Sequence, residues 1–142
     1  MYGKLINYLK EADVSPIEDL SGLYDTLYHE YTTLQDLNTV ERGQGPEIME
    51  DSDFLNIKSM VDSGTDIVDA FMSVLPVGMV LNAKPILTKY KADIEEIFNS
   101  SKNVSQFVSS LDNDLPNIIK GEYQGKEFTL KDLSNEIENG GI

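Results

Sequence analysis

Apolar residues recur along this chain at helical spacing, in blocks separated by short breaker segments. The most regular block is Ile17, Leu20, Tyr24, Leu27, Tyr31 and Leu34, at steps of 3, 4, 3, 4 and 3. Leu23, Tyr28 and Leu37 widen it into a broad stripe. The same spacing is that of a coiled-coil seam, so the 17–34 helix is a candidate surface for self-association. The row is shorter than the three or four heptads a coiled coil needs, which favours an ordinary core helix of a bundle. Ser15-Pro16-Ile17-Glu18 reads as its start: a capping Ser, a Pro at the first helical position and a Glu three residues after the Ser. A short helix over residues 2–11, carrying Leu5, Ile6 and Leu9, is expected before it.

Residues 38–53 lose the periodicity. Arg42-Gly43-Gln44-Gly45-Pro46 breaks any helix, and Glu47, Glu50, Asp51 and Asp53 make this an acidic linker, with Ser52 or Asp53 capping the next helix. Phe54, Ile57, Met60, Val61, Ile67, Val68, Phe71, Val74 and Leu75 then predict one helix across 54–75. Gly64 falls on its apolar side, where it would admit a close neighbour, and Pro76 ends it. Val77–Leu81 reads as an apolar connector, either buried as it closes the bundle or exposed for a partner. Pro85 falls in an early turn of a further helix with Ile86, Leu87, Tyr90, Ile94, Ile97 and Phe98 inward. A weaker helix is expected over 104–111, with a turn or restart at Pro116.

The period changes near the C-terminus. Glu122–Thr129 reads as two very short strands around a Gly-containing turn, and Thr129-Leu130-Lys131-Asp132 as the cap of a short last helix with Leu133 and Ile137. The expected architecture is mainly α: one domain over 1–142, a bundle of four to six helices centred on 17–37, 54–75 and 86–98. A small hairpin plus short helix fills 121–142.

Charge then narrows the function. The chain has 25 Asp+Glu against 11 Lys+Arg, a formal net of -14 on 142 residues. Such a surface repels nucleic acid and anionic lipid and attracts basic proteins. No stretch is long and uniformly apolar enough to span a membrane, and the N-terminus lacks a secretory pattern, so a cytoplasmic location is expected. With no Cys there is no disulfide or thiolate chemistry.

The material for catalysis is thin. His29 is the one imidazole, lies off the main stripe and is expected near solvent; Glu30 beside it is the one candidate partner for acid–base work. The Asp51-x-Asp53 and Asp112-x-Asp114 pairs have the spacing of cation ligands. The third ligand position is filled by Leu55 and Pro116, and the glycine position by Asn56 and Asn117, so both pairs read as helix-flanking caps. No phosphate loop, dinucleotide fingerprint or zinc-ligand pair is present. No enzyme, metal or cofactor is expected.

Asp62, Asp66 and Asp69 stand 4 and 3 residues apart. On one continuous helix they would form a carboxylate row spaced like the phosphates of a single strand, with no Lys or Arg between them. The reading is a binding protein that docks on a basic or nucleic-acid-binding partner through Asp62, Asp66 and Asp69, with Glu47, Glu50, Asp51 and Asp53 as a second patch. In size and acidity it resembles the small inhibitors of phages and mobile elements, a likeness of composition that covers no motif. The alternative is an assembly subunit held by apolar helix surfaces.

Overall fold

The structure is a computed structural model, and it describes residues 16–41, 43 and 45–138. The expected 2–11 helix and the Ser15 cap lie outside the described residues. Within them the protein is mainly α, with seven α-helices and two short antiparallel hairpins. The chain divides into two compact units, one built from residues up to 29 together with 119 onward, the other from 30–118.

In the larger unit, the end of α1 (Pro16–Gln35) runs into a 3₁₀ turn at Asp36–Asn38. Strands β1 (Thr39–Glu41) and β2 (Pro46–Ile48) follow, paired with Val40 opposite Glu47. The segment expected as an acidic linker therefore folds as a hairpin. Its signal is faint because Val40 is the one buried strand residue and all of β2 is exposed, so no alternation marks it. Gly43 and Gly45 supply the positive φ of its loop (69° and 137°), and the Met49 N–H donates to the Asn38 carbonyl at 2.6 Å to close its base.

The helix expected over 54–75 is two helices, α2 (Asp51–Asp62) and α3 (Ile67–Val74). The corner is a Schellman motif. The Thr65 N–H donates to the Met60 carbonyl (2.9 Å) and the Gly64 N–H to the Val61 carbonyl (3.0 Å), with Gly64 at φ +103°. Gly64 is thus exposed and needed for its left-handed backbone, not for close helix packing. The cap of α2 is Glu50, two or three residues earlier than expected: it pairs reciprocally with Asp53, whose carboxylate accepts from the Glu50 N–H at 2.8 Å.

Leu75 is extended and Pro76 precedes α4 (Val77–Lys89), so Val77–Leu81 is not a connector but the first turns of a helix. Pro85 lies inside α4, where Ala83 and Leu87 are fully buried on either side of it. Tyr90 breaks the row between α4 and α5 (Lys91–Ser100). Helix α6 (Val104–Ile118) is longer than expected and continues through Pro116. Leu111 and Leu115 are buried one turn apart on it, and their burial outweighs the proline's missing hydrogen bond.

Four phenylalanines organise this unit. Phe54 of α2, Phe71 of α3, Phe98 of α5 and Phe107 of α6 are each fully buried, and Phe98 and Phe107 each meet the other three rings at centroid distances of 4.9–5.8 Å. The Phe98–Phe107 pair meets edge to face at 89°, a geometry favoured by the ring quadrupoles. Lys58 lies 4.7 Å from the Phe98 ring centre and donates to the Phe98 carbonyl at 3.1 Å, so its stem seals the cluster's edge.

The smaller unit contains most of α1, the hairpin β3 (Lys120–Tyr123)/β4 (Lys126–Thr129) and α7 (Leu130–Glu138). The expected C-terminal hairpin is present. Gln124 and Gly125 both have positive φ (53° and 80°), the two-residue turn that matches strand twist. Gly121 lies against α1: a Cβ there would fall 2.8 Å from Leu23 Cδ1, so a side chain at this position would require Leu23 to shift. The Thr129/Asp132 cap also forms, with reciprocal bonds of 3.1 and 3.2 Å.

Candidate functional site

The residues singled out for docking sit at helix boundaries, and that position decides what they can do. Asp62 is the last residue of α2, Asp66 precedes α3, and Asp69 lies in the first turn of α3. All three are exposed, but the corner between the helices removes the single continuous face that the row required. Asp66 is committed to the fold. Its carboxylate accepts from the Val68 N–H at 2.9 Å and forms an ion pair with Lys91 of α5. The row therefore does have a neutralising cation, from a residue distant in sequence. The Lys91 hydrogen bond, then the Val68 amide, hold the Asp66 carboxyl below its usual value, and Asp66 in turn raises Lys91.

The second expected patch is similarly engaged. Glu50 and Asp53 cap each other. Asp51 accepts from the Val104 N–H at 3.0 Å and so caps α6 from another helix, beside Asn103, which accepts from the Gln106 N–H at 2.9 Å. Glu47 is exposed on β2. Of the other Asp-x-Asp pair, neither member is a flanking cap. Asp112 lies within α6 and accepts from the Gln35 side chain at 2.9 Å, and Asp114 lies one turn before its end.

His29 is exposed, as expected. Glu30 is buried (8% exposed), and its carboxylate accepts from the Tyr90 hydroxyl and from Lys89 Nζ at 3.0 and 3.3 Å. Burial alone would lower Lys89, but the bonds to Glu30 and Tyr90 prevail and raise it. This network ties α1 to the α4–α5 junction. The sequence offered no direct sign of it, because its members are 59 and 60 residues apart.

Carboxylates gather elsewhere. A cleft of about 350 Å³ runs between α5 and α6. Asp93, Glu96 and Ser100 line it from α5 at steps of 3 and 4, and Ser110, Asp114 and Asn117 from α6 at steps of 4 and 3. Ile97 and Ile118 give it an apolar component. These two matched polar rows are the signal that reading each helix singly passes over. Among the described residues no three side chains are grouped to hold a metal ion, and no helix is long and apolar enough to cross a membrane.

One further surface is apolar. Val77 and Leu81, one turn apart on α4, are 77% and 86% exposed. By contrast Leu27 and Leu34 of the α1 stripe are buried within the chain. No family model, curated protein or solved structure matches the chain.

Proposed function

We propose that the protein is a non-enzymatic, acidic binding protein that docks on a basic protein surface in the cytoplasm, as an inhibitor or antitoxin does. The observation that carries this reading is the α5–α6 cleft, where Asp93, Glu96 and Asp114 line one concavity that also has an apolar component. A Lys or Arg of the partner would lay its methylene stem along Ile97 and Ile118 and present its charge to the carboxylates. Asp62 and Asp69 are further exposed carboxylates, and the net charge of -14 would speed encounter.

The test is capture from the source cell at low and high salt, followed by binding measurements with the purified captured protein. The expected partner is basic, is retained at low salt, and is lost by the triple variant Asp93→Lys/Glu96→Lys/Asp114→Lys while the fold survives. A partner held equally well by that variant sinks the reading. The second reading, an assembly subunit, is favoured by one observation: the exposed Val77 and Leu81.

A further inference from the structure

Seven α-helices are described, and six of them carry Asp or Glu; α4, Val77–Lys89, carries none. On its exposed side Val77, Leu81 and Pro85 form a ridge at four-residue steps, flanked by the polar Asn82, Lys84 and Thr88. Leu81 is 86% exposed, although α4 has buried positions at Ala83 and Leu87. Among the described residues the Lys84 ammonium has no hydrogen-bond or ion-pair partner. The helix begins at an unusual anchor. Pro76 has no capping side chain, and the Val77 N–H donates instead to Glu41 Oε1 of β1 at 3.2 Å.

We propose that α4 is a self-association helix, pairing antiparallel with α4 of a second copy about a two-fold axis through Leu81. This gives the assembly reading a partner and stands apart from the acidic-docking reading. Like charge argues for this face. Two copies of a chain with a net charge of -14 repel, so close approach is least opposed where no carboxylate is carried on the meeting helices. The face is also self-complementary, as a two-fold contact requires. Residues equally far on either side of Leu81 face one another. Leu81 meets Leu81 of the second copy, and Val77 meets Pro85 of the second copy. Lys84 meets Gly78 of the second copy, where the absent side chain leaves room for the ammonium to reach Glu41 at the start of that helix. An anionic lipid surface suits the apolar ridge but not the charge of the whole chain.

A single helix pair is smaller than the roughly 1,200 Å² at which stable complexes begin, so the dimer is weak and reversible. Salt would strengthen it by screening the repulsion between copies, the reverse of its effect on docking to a basic partner. Sedimentation equilibrium of the full chain over a wide concentration range, at low and high salt, reads this directly. The expected result is a monomer–dimer equilibrium that shifts toward dimer with salt. Leu81→Asp should abolish it with unchanged circular dichroism, and Lys84→Glu should weaken it about tenfold. Because the chain has no cysteine, Leu81→Cys gives a single thiol on the axis. A short bis-maleimide should then cross-link it much faster than Ser109→Cys, an exposed position on α6. A monomer at every concentration, a dimer that Leu81→Asp leaves intact, or equal cross-linking at the two positions overturns the proposal.

Discussion

Carboxylates at the start of α2 and carboxylates beside the α5–α6 cleft are the same chemical group in opposite employment. Glu50, Asp51 and Asp53 sit where amides lack helical partners, and each is engaged there: two cap one another and the third caps a separate helix. Glu96 and Asp114 sit mid-helix or later, where backbone groups already have partners, and they line an open cleft together with Asp93 of the first turn of α5. The difference teaches that acidity in the sequence does not mark a binding surface by itself. What separates the two groups is whether the carboxylate accepts from a backbone amide at a helix start, as Asp51 and Asp53 do, or lines a cleft, as Asp93 does although it too lies in a first turn.

That division can be broken by stability measurements on each class. The largest loss should come from the buried acid. Tyr90→Phe removes a hydroxyl donor from Glu30 and should cost about 1–3 kcal/mol in urea unfolding; no loss would mean that Lys89 alone satisfies the carboxylate. Next, Asp51→Ala should cost about 1 kcal/mol, because it uncaps α6, and a change below the scatter of the assay would remove Asp51 from the structural class. Acid titration gives a smaller effect. The folded-state pKa of Asp66 lies below the ordinary 3.8, so its contribution is complete above pH 3.8 and fades as the pH falls through the lower folded value. Asp66→Asn should therefore be less stable than the parent at neutral pH, and the two unfolding curves should converge in acid. The smallest change is expected in the cleft: Asp114→Asn should alter stability by no more than about 0.5 kcal/mol, since among the described residues none bonds to that carboxylate. A larger loss there would erase the distinction.

Much of the architecture is written in spacing, and the exceptions have particular causes. The stripe on α1, the turn at Gln124-Gly125 and the Thr129/Asp132 cap are local patterns, and each appears where the residues predict it. The corner at Ser63–Asp66 was illegible because apolar residues keep a helical period across it, Met60 to Ile67 and Val61 to Val68, while the Schellman turn ends α2. The break at Tyr90 hid for the same reason, since Leu87, Tyr90 and Ile94 are all buried as one helix would bury them. Proline obscured two helix extents: Pro85, expected in an early turn, stands well inside α4, and α6 runs on through Pro116; residues flanking each are buried. As for the candidate site, Asp93 and Glu96 stand out as charge, but their meeting with Asp114 depends on how α5 packs on α6. No single-helix pattern contains that information.

The bond from the Val77 amide to Glu41 has a consequence for motion. A helix whose first amide is held by a strand residue 36 positions earlier cannot fray independently of that strand. When the β1–β2 ribbon opens, the start of α4 loses its anchor in the same event. Deuterium should therefore enter both segments at a common rate, as one cooperative gate rather than two loose ends.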